Sequence, residues 1–243
     1  MTKYTFAITQ DHFLNGRMIL KQPAKGHRIG LDAMLLAEFA PAGSKHVADF
    51  GAGVGAVGIA YALNNPDANV ILVERDTEIV SLARENLELN KLMERASVCE
   101  ADLFVSAKAR ELAGLLPRSV DLVLTNPPFL NENDARISPN DKRRSAHVLE
   151  GGTLDDWLRA AAHMLKPSGV LVMIHRADVL HDILNALQGM GATKGRFGGI
   201  EITPMQPSIN QSATRILVKA TLGSRKKLIL LPATILNSEY KKL

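Results

Sequence analysis

Residues 47–63 confine the fold more than any other stretch of the chain. A short strand-like run, Val47-Ala48-Asp49-Phe50, passes into Gly51-Ala52-Gly53-Val54-Gly55, and a helical pattern follows from Ala56 to Leu63. Glycine adopts backbone conformations closed to other residues, so such a loop can turn tightly and bring its amides close to a ligand at a helix N-terminus. The same order then recurs. Ala68 to Val73 reads as a strand ending in Glu74, and Thr77 to Asn90 as a helix with Ile79, Val80, Leu82, Ala83, Leu87 and Leu89 as its apolar positions. Ala96 to Ala101 is a third strand, a short helix spans roughly 106–115, and Val120-Asp121-Leu122-Val123-Leu124 is a fourth strand. Strands alternating with helices predict an α/β fold with a doubly wound, mostly parallel sheet.

The flanks add antiparallel pieces. Asn15-Gly16 between Phe13-Leu14 and Met18-Ile19-Leu20 predicts a small N-terminal β-hairpin. The turn-rich segment Gln22-Pro23 to Asp32 leads into a helix from Ala33 to Phe39, with Asp32 as its expected N-cap. After the fourth strand, residues 130–152 are polar and without apolar period; a loop that long inside a domain predicts a substrate-facing flap. Thr153 to Leu165 is helical with Asp155 and Asp156 in its first turn, Val170 to Ile174 is a fifth strand, and Asp178 to Gly189 a further helix. Arg196 to Ile202 and Ala213 to Leu222 read as an antiparallel hairpin closing the sheet, with Leu228 to Leu231 as an additional edge. No repeat or linker divides the chain, so residues 1–243 are expected to form a single domain around a seven-stranded sheet.

Composition narrows the class. Hydrophobic residues at 46% and charged residues at 22% describe a globular protein. A net charge of +4 favours a polyanionic partner without demanding one. Cys99 is the single cysteine, which excludes an intrachain disulfide and a cysteine metal cluster. The histidines show no metal-ligand spacing, and neither a signal-peptide pattern nor a membrane-length apolar run is present. The sequence therefore predicts a cytoplasmic protein without metal or membrane attachment.

The chemistry is concentrated in Thr125-Asn126-Pro127-Pro128-Phe129-Leu130-Asn131. Asn126 falls just beyond the carboxyl end of the fourth strand, where open α/β sheets bind ligands. Two prolines in succession hold the carbonyls of Asn126 and Pro127 rigidly outside any helix. An Asn side-chain oxygen and a neighbouring carbonyl aimed at one point suit a planar NH2 group, and Phe129 offers a face on which an aromatic ring can stack.

Gly53-x-Gly55-x-x-Gly58 with Glu74 downstream also satisfies the dinucleotide pattern, so a nicotinamide dehydrogenase competes. Three features favour a different cofactor. Asp49 precedes the loop, where it would repel a pyrophosphate but attract an ammonium. Asp102-Leu103 after the third strand offers a carboxylate to an adenine amino group and an amide to a ring nitrogen. The Asn126 turn has no hydride-transfer apparatus.

Taken together these residues resemble the class I S-adenosylmethionine-dependent methyltransferases, and within them the amino-methylating group with an Asn-Pro-Pro-aromatic motif. The resemblance covers most of the chain. It implies a Rossmann-like fold with S-adenosyl-L-methionine as cofactor. Asp49, Gly51, Gly53 and Gly55 match the methionine-binding loop, Glu74 the ribose acid, Asp102 and Leu103 the adenine contact, and Asn126-Pro127-Pro128-Phe129 the catalytic motif. Asp32 and Asn126 join the cofactor-contacting set in this reading. The segment from Gln22-Pro23 through Gly26 to Leu36 is similar to that of bacterial tRNA(Val) adenosine N6-methyltransferases. This similarity implies a tRNA partner, with the anticodon loop as target.

Glutamine methylation of a release factor and guanine N2-methylation of ribosomal RNA are the alternatives within the group, and a cofactor-binding RNA-binding module the alternative without turnover. His27 and His147 read as structural or solvated. Lys142, Arg143, Arg144, Lys194, Arg196 and Arg225-Lys226-Lys227 are the candidates for phosphate contact.

Overall fold

In the computed structural model, residues 4–26, 28–128, 148–149, 152–189 and 197–236 are described. The hairpin predicted around Asn15-Gly16 is formed by β1 (Ile8–Phe13) and β2 (Met18–Pro23). Its loop is wider than the two-residue turn that Asn-Gly suggests. Phe13 pairs with Met18, leaving four residues between them, and Leu14, Asn15 and Gly16 all take positive φ.

The main chain then alternates as α1 (Leu31–Phe39), β3 (His46–Phe50), α2 (Ala56–Asn64), β4 (Asn69–Glu74), α3 (Thr77–Leu89), β5 (Ala96–Glu100), α4 (Ala107–Leu112) and β6 (Val120–Thr125). The two-residue strands β7 (Val148–Leu149) and β8 (Gly152–Thr153) pair with each other. There follow α5 (Leu154–Met164), β9 (Leu165–Arg176), α6 (Leu180–Gln188), β10 (Phe197–Gln206), β11 (Arg215–Leu222), β12 (Ile229–Leu230) and β13 (Thr234–Ile235). The start of α5 is locally encoded: Thr153 and Asp156 exchange hydrogen bonds as a capping box, a device worth about 1 kcal/mol.

The sheet order is β5-β4-β3-β6-β9-β11-β10. The first five strands are parallel, β11 runs antiparallel to β9 and β10 antiparallel to β11, and β12 and β13 add to the outer edge of β10. This is the predicted seven-stranded Rossmann-like sheet plus two short edge strands. Alternation along each strand sends its residues to two cores. In β6, Leu122 and Leu124 face the layer of α1, α2 and α3, and Val123 faces α5 and α6. Among the described residues no helix is long and apolar enough to cross a membrane.

Asp32 does not cap α1, contrary to the expectation. The helix begins at Leu31, and extended Gly30 occupies the N-cap without a side-chain bond. Asp32 sits in the first turn, and its Oδ2 accepts from Arg215 Nε at 2.7 Å, tying α1 to β11. α5 ends at Met164 and β9 starts at Leu165, so Lys166-Pro167-Ser168-Gly169 falls within the strand. Val120 pairs with Leu165 and Leu122 with Val170, so those four residues bulge out of the ladder, with Ser168 at positive φ.

Candidate active site

β3 leads to β4 on one side of the sheet centre, and β6 lies on its other side, so the connections leaving β3 and β6 diverge. A crevice opens at that switch point, beyond the carboxyl ends of the strands. The cleft there measures about 210 Å³, and its wall includes Asp49, Gly51, Gly53, Glu74 and Asn126. Gln22 to Ala33 also contributes to the wall, so four separate stretches of the sequence converge on one cavity.

The floor is the glycine loop. Gly51, Gly53 and Gly55 take φ of 65°, 55° and 94°, which only glycine adopts cheaply. The Gly55 amide closes the turn onto the Ala52 carbonyl at 2.9 Å, and the Ala52 amide binds the Val73 carbonyl at 3.0 Å, holding the loop against β4. A Cβ on Gly53 would meet nothing within 4 Å, so its face is open to the cavity.

Asp49 is 1% exposed, and its Oδ2 accepts the Gly58 amide at 2.8 Å. Burial pushes its carboxyl up to about 7, the amide bond opposes this, and the nearby Glu74 charge adds to it. An ammonium entering the cleft would restore its ionised form. Glu74 closes the far side. It accepts the amides of Gly53 at 3.0 Å, Arg75 at 2.7 Å and Asp76 at 3.0 Å. With three of about four acceptor positions filled, the carboxylate has room for one further strong hydrogen bond.

Asn126 lies one residue past the β6 ladder. Its Oδ1 is buried and has no hydrogen-bond partner among the described residues. A buried acceptor left unpaired is unfavourable by about 1–3 kcal/mol, so this atom is suited to a donor brought by a ligand. Pro127 is buried and Pro128 exposed behind it. Phe129 lies outside the described residues, as do His27, His147, Lys142, Arg143, Arg144, Lys194, Arg196 and most of the 130–152 segment.

Other expected residues stand apart. Asp102 and Leu103 do not line the cleft. Asp102 Oδ1 accepts the Phe104 amide at 2.8 Å in a local turn, and Leu103 is buried in the core beside α5, its carbonyl held by Arg110. Asp32 is likewise absent from the lining, although its neighbours Gly30 and Ala33 contribute to it. Lys226 packs beside Gly199, at the end of β10 where Phe197 pairs with Leu222. Because β11 runs antiparallel to β9, this places Arg225-Lys226-Lys227 at the opposite end of the sheet from Asn126.

Gln22 is a cleft residue whose role the sequence left unassigned. It is 2% exposed; its Nε2 donates to Asp11 at 2.7 Å and its Oε1 accepts the Ile29 amide at 2.9 Å. Asp11 also accepts from Arg28 at 2.9 Å, so the hairpin clamps Arg28 to Gly30, the segment that walls the cleft. The available signal was positional: Gln22 shares the buried face of β2 with Met18 and Leu20.

The donor set fits an S-adenosylmethionine-like ligand: a buried carboxyl for an ammonium, a second carboxylate for a ribose, an open glycine floor, and an orphaned acceptor for an amine. Residues 30–196, more than half of the chain, match the family described as Methyltransferase small domain. A tRNA1(Val) (adenine(37)-N6)-methyltransferase of Klebsiella pneumoniae is 28% identical over 194 residues, 79% of this chain and 76% of that protein. A release factor glutamine methyltransferase of Salmonella typhimurium is 29% identical over 56% of this chain and 48% of its own. Among solved structures, a predicted O-methyltransferase, protein Atu636 from Agrobacterium tumefaciens, is 35% identical with a TM-score of 0.69, covering 85% of this chain and 88% of that one. TYW2 of M. jannaschii in complex with AdoMet, at 16% identity and a TM-score of 0.60 over 91% and 88% of the two chains, shares the fold. The chain belongs to the Methyltransferase small domain family.

Proposed function

We propose that this methyltransferase, with S-adenosylmethionine as its cofactor, transfers the methyl group to the exocyclic N6 of an adenosine in tRNA, in the anticodon loop of tRNA(Val). The observation that carries the proposal is the buried Oδ1 of Asn126, without a partner among the described residues, in the same cleft as Asp49 and Glu74. The Klebsiella relative supports the RNA assignment, and the hairpin-to-α1 segment that resembles its family walls this cleft.

When bound, the cofactor supplies an electrophilic sulfonium methyl. Asp49 faces its ammonium, Glu74 its ribose, and the glycine loop its methionine portion. An adenine amino nitrogen is a weak nucleophile because its lone pair is delocalised into the ring. Asn126 Oδ1 and the Pro127 carbonyl each accept one of its N–H groups, which draws the nitrogen toward tetrahedral geometry and frees that lone pair. After transfer the nitrogen is cationic and acidic, and it loses a proton to water without a dedicated base. The target adenosine enters unstacked, as single-stranded loops permit.

Two acceptors at one point match an NH2 group and not a hydroxyl, which has a single proton; this favours amine over oxygen methylation. Glutamine methylation is the second reading, because a carboxamide NH2 also presents two protons and the Salmonella relative acts on a release factor. Labelled methyl transfer to undermodified total tRNA, release factor and ribosomal RNA in parallel, followed by nucleoside and peptide mass analysis, tests the proposal. N6-methyladenosine in tRNA is the expected product. Label in protein or guanine would overturn the substrate and retain the cofactor.

A further inference from the structure

Trp157, the chain's single tryptophan, is 5% exposed and contacts both halves of the cleft from below without lining it. Its Nε1–H donates to the Thr125 hydroxyl at 3.0 Å, and that hydroxyl donates to the Phe50 carbonyl at 3.1 Å. The far edge of the same indole lies beneath the glycine loop: a Cβ built on Gly51 would come within 2.9 Å of it. Phe50 meets the ring edge-on at 6.4 Å, and Phe104 packs on it at 5.7 Å between centroids.

The position of these contacts matters. Phe50 and Thr125 are the last paired residues of the β3–β6 ladder. Beyond them the backbone diverges, one strand into the loop that holds the cofactor, the other into the Asn126 turn that holds the amine. Methyl transfer requires those two ligands at a fixed separation and angle, and displacements of an ångström lower such rates by orders of magnitude. A phenyl ring would fill this part of the core without a donor to satisfy. Here its donor is instead spent on a hydroxyl that bridges the two diverging strands.

We propose that Trp157 is a positioning residue that sets the cofactor loop against the Asn126 turn, acting through Thr125 and Gly51 and touching neither ligand. The proposal rests on the reading that the Asn126 turn holds the substrate amine. Two variants remove the link by different routes: Thr125→Val replaces the hydroxyl with a methyl of similar size, and Trp157→Phe removes the N–H and the outer ring. Thr125→Ser restores the hydroxyl.

The test uses the full chain, with kcat and KM for methyl transfer to the tRNA substrate, calorimetric affinity for S-adenosylhomocysteine, and thermal melting to establish folding. Thr125→Val and Trp157→Phe are each expected to lower kcat about tenfold or more, with KM and S-adenosylhomocysteine affinity within about threefold of wild type. Thr125→Ser should return kcat to within about threefold of wild type, and Thr125→Val combined with Trp157→Phe should be no worse than the poorer single variant. A folded Thr125→Val chain with unchanged kcat would overturn the proposal, as would a loss of S-adenosylhomocysteine affinity as large as the loss of kcat. If Trp157→Phe does not fold, the Val and Ser pair at Thr125 decides. Wild-type protein that binds S-adenosylhomocysteine but methylates no tRNA, release factor or ribosomal RNA would overturn the Asn126 reading and this proposal with it. Normal wild-type turnover with insensitive variants would overturn this proposal alone.

Discussion

The amide of Gly58, the third residue of α2, donates to Oδ2 of Asp49 at 2.8 Å, and that bond opposes the effect of the carboxyl's burial. Asp49 is raised from an ordinary value of 3.8 to about 7 in the folded chain. It therefore holds its proton more tightly folded than unfolded. Stability from this group is complete below about pH 4 and is lost as pH rises toward 7, by roughly 4 kcal/mol in all. Asp49→Asn keeps an acceptor for Gly58 and cannot ionise. In urea unfolding it is expected to exceed wild type by about 2–4 kcal/mol at about pH 8 and to converge with it at about pH 4. The same variant should bind S-adenosylhomocysteine at least about tenfold more weakly at about pH 8, where wild type presents a carboxylate to the ligand's ammonium. Parallel stability curves at the two pH values would show that Asp49 is ionised in the free protein.

Asn126→Ala removes the orphaned acceptor. Its expected effect is a fall in kcat of about a hundredfold or more, with S-adenosylhomocysteine affinity within about tenfold of wild type, because the atom acts on the nucleophile. Single-turnover transfer alongside calorimetric binding separates the two. A parallel collapse of binding would mean that Asn126 holds the cofactor instead.

Gln22→Met keeps volume and deletes both amide contacts. The Ile29 amide and the Asp11 carboxylate each lose a partner, for an expected destabilisation of about 1–3 kcal/mol. Since Ile29 and Gly30 wall the cleft, S-adenosylhomocysteine affinity should also fall about tenfold while the melting transition stays cooperative. Calorimetry and thermal melting report the two effects, and unaltered affinity would restrict the Gln22 clamp to stability.

Gly58→Ala tests the packing of α2 on the sheet. An added Cβ would press on the Leu72 side chain and sit 3.1 Å from Val70 Cγ1 and 3.2 Å from Asp49 Cβ. Overpacking of this kind is worth about 1–3 kcal/mol, or a drop of roughly 2–10 °C in the melting temperature for a chain of this size. Calorimetric melting measures it, and an unshifted transition would show that Leu72 can rotate away.

Asp49, the glycine loop, Glu74 and Asn126 were legible because each is tied to a strand end. Once alternation identifies parallel strands, their carboxyl ends must lie together, and residues just beyond them share one crevice whatever the details of packing. The first turn of α5 was legible for a related reason, since Asp155 and Asp156 mark it locally, while the Thr153–Asp156 capping box emerged only in the structure. Asp32 was misread as a cap because its real partner, Arg215, is 183 residues away, and no local rule anticipates that pairing. Asp102 has cap-like local chemistry of its own with Phe104, which the sequence showed only as a carboxylate after a strand.

By itself the sequence determined the alternation of strands and helices, the parallel direction of the central strands and three of the stretches that meet at the cleft, because periodicity and glycine placement act over a few residues. Only the tertiary structure decided which atoms there are engaged and which are left open. Gln22 clamps Ile29, Trp157 joins Thr125 to the floor beneath Gly51, and Asn126 Oδ1 has no partner among the described residues. Each of these depends on where β2, α5 and β6 are carried by burial of their apolar faces, a long-range outcome that spacing along the chain does not contain.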